Sequence, residues 1–230
     1  MQGTASPKRL CRSARQKGYT TLALTDINNF YGLWPFLNAC KEEELVPIIG
    51  AEVRTGAHRL FCLVKDQDGY RNLCRLLTSL HCDQNFDLMT SLETQHQGLA
   101  LLATSQDMLS CCQGIGADTV AALTGRPNQH NSNLRRTAHT LGVPAVAVQD
   151  SLYLSPEDYS AHRLLRAIDR NCSLCRLPEN ETTAEAWLPG ITEWRQRFHL
   201  WPECLSAAIS IAERCTLRTP YTGLIMPPWP

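Results

Sequence analysis

The chain has 230 residues, 22 lysines and arginines against 22 aspartates and glutamates, and 43% hydrophobic residues. This length and apolar content suit one large α/β domain, or two small ones, with a real core. The zero formal charge removes any strong electrostatic demand for nucleic acid or a membrane surface, and no apolar run approaches the ~20 residues of a membrane span. The first residues lack the apolar core of a signal peptide, so a cytoplasmic location is expected. Eleven cysteines lie scattered through predicted strands and helices, which reads as reduced core thiols and not as a disulfide framework. Cys172-x-x-Cys175 is a lone pair with no second pair at zinc spacing, so no structural zinc is expected.

In chain order, Ser6 or Pro7 opens a helix that reaches about Lys17 and stops at Gly18. A strand from Tyr19 to Leu24 follows, then a helix from Leu33 to about Glu44 with Pro35 harmless in its first turn. Leu45–Gly50 and Arg59–Val64 are almost wholly apolar, the mark of strands buried on both faces in a parallel sheet. Asp66-Gln67-Asp68-Gly69 turns into a helix from Tyr70 to about Leu80, and its acids read as turn and cap residues. Residues 82–97 read as a loop, residues 98–103 as a strand, and Ser105 as the start of a short helix. Residues 114–125 give no clear signal. A helix from Leu134 to Leu141 closes at Gly142, and Val143–Val148 is the last strong strand. Ser155-Pro156-Glu157-Asp158 starts a helix to about Ile168, residues 176–190 form a loop, and Pro202–Cys215 is amphipathic with Leu205, Ala208, Ile209 and Ala212 on one face. The division expected is one domain over 1–222 and a proline-rich tail over 223–230.

Three apolar strands run into acids: Leu22-Ala23-Leu24-Thr25-Asp26, Val46-Pro47-Ile48-Ile49-Gly50-Ala51-Glu52 and Ala145-Val146-Ala147-Val148-Gln149-Asp150. In an α/β sheet the rim where strands hand over to helices collects the chemistry. Asp26, Glu52 and Asp150 are therefore expected to approach one another there as candidate metal ligands. Hard carboxylates joined by imidazoles would mean divalent metals and phosphoester chemistry. The residues beside these acids are Ile27 and Leu152, which cannot bind a metal, and single acids after strands more often cap turns and helix starts.

The stretches Gly18-Tyr19…Leu22-Ala23-Leu24-Thr25-Asp26, Val46–Glu52, Asp68-Gly69-Tyr70-Arg71-Asn72-Leu73-Cys74-Arg75-Leu76, Leu141–Ala147 and Ile211-Ala212-Glu213-Arg214-Cys215 resemble the PHP (polymerase and histidinol phosphatase) domain of bacterial DNA polymerase III alpha subunits and error-prone relatives. The match in order and spacing runs over nearly the whole chain. Met226-Pro227-Pro228-Trp229-Pro230 resembles the junction into the family's polymerase region. The resemblance implies an α/β fold, a distorted parallel β/α barrel, with a metal cluster at the strand C-terminal rim that hydrolyses phosphoesters in active relatives. Carried over position by position, the family's opening His-x-His would precede Met1, and a following aspartate falls at Gln2. Thr-Asp-His reads Thr25-Asp26-Ile27, the Gly-x-Glu acid is kept as Glu52, and Asn-Asp-x-His reads Gln149-Asp150-Ser151-Leu152. His81, His96, His130 and His139 lack the spacing of the lost ligands.

Losing even outer partners of a metal costs about 10–100-fold in affinity or activity, and here imidazoles themselves give way to apolar groups. No catalytic residue and no resident cofactor are therefore expected. Asp26, Glu52 and Asp150 remain as residual ligands for a weakly held magnesium, manganese, zinc or calcium ion. The expected role is a scaffold or docking module in DNA replication or repair, with the polymerase portion of an alpha-like subunit or a proofreading exonuclease as partner and DNA reached only through partners. The alternative is a metal-dependent phosphoesterase resembling a 3′–5′ exonuclease.

Overall fold

The computed structural model describes residues 3–56 and 58–221. The expected tail, together with Gln2, lies outside them. Six strands, β1 (Thr21–Ile27), β2 (Val46–Thr55), β3 (His58–Val64), β4 (Leu99–Ala103), β5 (Thr119–Thr124) and β6 (Ala145–Val148), pair in sequence order into one sheet curled as a half-barrel. Nine α-helices surround it among the described residues: α1 (Pro7–Gln16), α2 (Leu33–Glu42), α3 (Gln67–Cys82), α4 (Leu88–Gln95), α5 (Gln106–Gly114), α6 (Gln129–Leu141), α7 (Tyr159–Asp169), α8 (Ile191–Arg197) and α9 (Glu203–Arg214).

The α/β barrel-type fold is present, with one strand reversed. β1 runs parallel to β2, and β4, β5 and β6 run parallel to one another, but β3 is antiparallel to both neighbours. The reason is local. β2 does not stop at Glu52; it continues to Thr55, turns at Gly56 (φ +54°) and pairs straight back, Thr55 opposite His58 and Glu52 opposite Phe61. A turn this short can join only antiparallel strands. Arg59–Val64 is still buried on both faces, so its composition reads as that of a parallel strand.

Two layers of core follow from the alternation along the strands. Ile49, Ala51, Val53, Leu60, Cys62 and Val64 face the layer closed by α3, α5 and α6, with Leu73, Leu76, Met108, Leu109 and Leu134. Ile48, Phe61, Leu63, Leu102, Val120 and Val146 face Ile211 and Cys215 around α9. A third cluster joins α1 to α2 through Cys11, Ala14, Phe36, Ala39 and Cys40. All eleven cysteines are free.

Helix starts follow the capping chemistry of the sequence. Ser6 Oγ accepts from Arg9 N at 3.4 Å, Asp66 Oδ1 from Gly69 N at 2.9 Å, and Ser105 Oγ from Met108 N at 3.3 Å. Gly69 is required by space, since a Cβ there would stand 1.9 Å from Gly98 O. Residues 82–97 contain α4 where a loop was expected, and residues 114–125 contain β5. In α9 the predicted stripe packs through Leu205, Ala208 and Ala212, joined by the buried Cys204 and Ile211, whereas Ile209 turns outward at 63% exposure.

Candidate functional site at the strand rim

With β3 reversed, the C-terminal ends of β1, β2, β4, β5 and β6 share one rim with the start of β3. Glu52 is buried at 5% exposure although its strand neighbours are apolar. A carboxylate so placed needs a cation or several donors. It receives two guanidiniums from across the hairpin and along its own strand. Arg59 donates from Nε to Oε1 at 2.6 Å and from Nη2 to Oε2 at 3.3 Å, and Arg54 Nε also donates to Oε1. The same Arg59 Nη2 donates to Asp150 Oδ1 at 2.5 Å, just beyond β6. The Arg59 guanidinium therefore bridges Glu52 and Asp150, occupying the space between two of the three predicted ligands.

The surroundings hold Arg59 in place. Its guanidinium lies over the Phe61 ring at 4.7 Å, and its carbonyl accepts from Thr104 Oγ1 at 2.7 Å. Burial disfavours the charged guanidinium, but the bonds to Asp150 and Glu52 outweigh it and raise its pKa further. Arg59 is a permanent cation here.

Asp26 does not join this group. Parallel register places Asp26 beside Ala51 and Ile27 beside Glu52, so Ile27 shares the Glu52 face and Asp26 points to the opposite one. There its Oδ2 accepts from Gly32 N at 2.6 Å, at the start of α2. Of the three acids, the fold brings together Glu52 and Asp150, through an arginine, and sends Asp26 to a cap.

Asn28 also shapes the rim. It sits at φ +53°, a left-handed conformation that asparagine tolerates, and its side chain extends the β1–β2 ladder. Oδ1 accepts from Arg54 N at 2.7 Å and Nδ2 donates to Arg54 O at 2.9 Å. This double bond fixes the backbone of the residue that carries the second guanidinium. Histidines nearby are turned toward backbone: His81 Nε2 meets Asn28 O at 2.7 Å, and His130 Nε2 meets Thr104 O at 2.9 Å. At the position after β6, Gln149 Nε2 donates to Glu185 O at 2.6 Å and its Oε1 accepts from Arg197 Nη1 at 2.9 Å. Leu152 engages through its backbone, accepting from Thr4 N at 2.8 Å and donating to Ala186 O at 2.8 Å.

The residues present do not fit a divalent cluster. Both Glu52 oxygens and one Asp150 oxygen are taken by guanidinium N–H groups, Asp26 faces elsewhere, and Ile27 and Leu152 have no donor atoms. Among the described residues no group of three or more His, Cys, Asp or Glu side chains has an arrangement suited to a metal ion. Arg59 and Arg54 were missed in the sequence because they flank the hairpin as ordinary strand-end arginines. The usable signal is Glu52 itself, a lone acid in an apolar strand whose neighbouring strand carries arginine as its second residue.

Comparison with known proteins adds the lineage. The PHP domain family model matches residues 1–149. The chain is 27% identical over 259 residues to the DNA polymerase III subunit alpha of Bacillus subtilis, covering 100% of this chain and 23% of that protein. It is 24% identical over 245 residues to an error-prone DNA polymerase of Anaeromyxobacter sp. (strain K), covering 95% and 22%. The chain thus spans less than a quarter of the length of these relatives. Among solved structures, an amidohydrolase from Chromobacterium violaceum aligns over 66% of this chain and 84% of its own, at 12% identity and a TM-score of 0.46.

Proposed function

Since the chain belongs to the PHP domain family, we propose that it works as a non-catalytic PHP domain in DNA replication or repair, a scaffold on which an alpha-like polymerase portion or a proofreading exonuclease assembles. The observation that carries this reading is the Arg59 guanidinium between Glu52 and Asp150. In this reading an organic cation fixed to the chain does the structural part of a metal's work, tying β2 and β3 to the segment after β6. A guanidinium has no exchangeable site for water or a phosphoryl oxygen of the kind a metal ion provides. It holds the rim together without activating a nucleophile. The similarity to a DNA polymerase III alpha subunit and an error-prone DNA polymerase supports the replication or repair context.

The test has two arms. Protein purified without chelators is assayed for bound metal by plasma mass spectrometry, and for turnover of a chromogenic phosphodiester and a labelled single-stranded DNA with manganese, magnesium or zinc. The expected result is well below one metal per chain and no turnover above that of Glu52→Ala. Stoichiometric metal with turnover that Glu52→Ala abolishes would replace this reading with the phosphoesterase one. In the second arm, purified polymerase portion and exonuclease subunits are titrated against the chain, and absence of binding at micromolar concentration would count against the scaffold role.

A further inference from the structure

α1 meets α2 through a pair of sulfurs. Cys11 and Cys40 are both fully buried, and their Sγ atoms lie 3.6 Å apart across the helix contact, 29 positions apart in sequence. Among the described residues no other two cysteine sulfurs are hydrogen-bonded to one another. The ordinary part of a buried cysteine, a small apolar filler, is played elsewhere by Cys62, Cys112, Cys204 and Cys215.

The two helices are held in the register that keeps these sulfurs together. Ala14, Phe36, Ala39 and Leu45 close the core around them. Outside that core three ion pairs run in step along the contact: Lys8 with Glu42 at 2.8 Å, Arg12 with Glu43 at 3.2 Å and Arg15 with Glu44 at 3.6 Å. The thiols also differ in acidity from the other buried ones. With Cys40 as donor, the sulfur contact lowers Cys11 from its ordinary value against the opposing effect of burial, and the same contact raises Cys40. Burial raises Cys62, Cys112, Cys204 and Cys215. Cys11 is thus the sulfur that gives up its proton first, and a second sulfur stands beside it.

We propose that Cys11 and Cys40 form an oxidation site, at which a hydroperoxide converts the two thiols into a reversible cystine that locks α1 onto α2. The Cys11 thiolate attacks one peroxide oxygen, the O–O bond breaks, and a sulfenic acid is left on Cys11 while the departing oxygen takes a proton. Cys40 then attacks the Cys11 sulfur; the S–S bond forms, the S–O bond breaks, and the Cys40 proton leaves with the hydroxyl as water. With hydrogen peroxide the sum is two thiols and one peroxide to one cystine and two waters, the sulfurs losing the two electrons that the peroxide gains. A dithiol reverses the change by exchange and is itself oxidised. The sulfurs must close from 3.6 Å to about 2.05 Å, which side-chain rotation between helices already in contact can supply. Peroxide reaches them by local opening of α1, whose ion pairs to the end of α2 are largely exposed and individually weak. The lock joins two helices whose starts reach the rim: Thr4 N, just before α1, donates to Leu152 O, and Gly32 N, at the start of α2, donates to Asp26.

The experiment uses the full chain, reduced and then freed of reductant. It is exposed to hydrogen peroxide in native buffer, quenched with N-ethylmaleimide, digested with trypsin without reduction and mapped by mass spectrometry. The expected product is residues 10–12 joined to residues 18–41, two hydrogens lighter than the two thiol peptides together and separated by dithiothreitol. The oxidised protein should melt roughly 5–10 °C above the reduced one, because a cystine spanning 29 positions restricts the unfolded chain. Cys11→Ala should abolish both the joined peptide and that rise, with Cys40→Ala as the second variant. The mapping of the parent needs neither, so a variant that folds poorly leaves the test intact. Absence of the joined peptide at peroxide levels that oxidise the exposed Cys82 and Cys111 overturns the proposal. So does a joined peptide that forms only in denaturant, which assigns the reaction to the unfolded chain. An oxidised parent that melts no higher than the reduced one overturns it as well, since the cystine then locks nothing.

Discussion

Replacing Arg59 by methionine keeps much of the apolar stem that lies over Phe61 and deletes the charge that joins Glu52 to Asp150. The Glu52 side chain is 6% exposed, so it cannot rehydrate without moving the hairpin. Removing one partner of a buried ion pair costs about 3–5 kcal/mol, because the remaining charge stays desolvated. Two features pull the cost to the lower end. Arg54 remains bonded to Glu52, and Asp150, 38% exposed, regains water. The expected loss is about 3 kcal/mol. For a chain of this size each kcal/mol moves the melting temperature by about 2–4 °C, so Arg59→Met should melt roughly 6–12 °C below the parent at neutral pH. Differential scanning calorimetry measures it. The companion is the double variant Arg59→Met with Glu52→Gln, which removes the stranded charge and should recover most of the loss. A melting temperature for Arg59→Met within about 3 °C of the parent, or a double variant less stable than the single one, would refute the account of Arg59 as the cation that the rim requires.

Freed of Arg59, the two carboxylates should accept a divalent ion weakly: manganese at about ten times a millimolar Kd is worth about 1.4 kcal/mol, and calorimetry should show it raising the melting temperature of Arg59→Met by roughly 3–6 °C and that of the parent by less than 1 °C. Tyr19 is pushed up to about 12 chiefly by burial, so its hydroxyl stays protonated in the fold while the unfolded chain ionises near 10; stability should fall as pH rises between these values, and Tyr19→Phe should make that fall shallower by up to about 1.4 kcal/mol per pH unit in denaturant titrations. Burial raises the Asp118 carboxyl, but hydrogen bonds from Arg214 and Lys65 outweigh it and hold its pKa below the ordinary 3.8. Its stabilisation is therefore present above that value and lost as pH falls through the lowered one, so Asp118→Asn should destabilise at neutral pH and match the parent in acid. His162 is lowered by burial, then by Arg166, so the unfolded chain binds a proton that the fold refuses; His162→Leu should stabilise the protein by about 1–3 kcal/mol below about pH 6, with a smaller gain at about pH 8.

The layered α/β order was legible because its signals are local. Ser6, Asp66 and Ser105 announce helix starts by their own side-chain bonds, and unbroken apolar runs announce strands covered on both faces. The direction of β3 was not legible, because a strand buried on both faces has the same composition in either orientation, and only the brevity of the turn at Gly56 tells them apart. Helix α4 and strand β5 were obscured for a similar reason. α4 is short, with two buried residues, Leu88 and Leu92, and β5 lies between a glycine-rich turn and a polar one.

At the rim the sequence identified the acids and their missing imidazole neighbours, and could not identify what replaced them. A metal ligand set has spacing that can be read along the chain, whereas an ion pair across a hairpin depends on register. One residue of register sends Asp26 to the α2 cap and leaves Ile27 beside Glu52. The partner of Glu52 then comes from the neighbouring strand, where Arg59 is seven positions away in sequence and in contact in space. α7 departs in the opposite sense, since its aliphatic row Leu164, Leu165 and Ile168 lies outside. Tyr153 and the Arg166–Glu181 pair take the polar side, and the apolar side is left exposed. In both places the chain departs from ordinary burial, with a charge inside at Glu52 and aliphatics outside at Leu164, Leu165 and Ile168, and these departures mark where its function is to be tested.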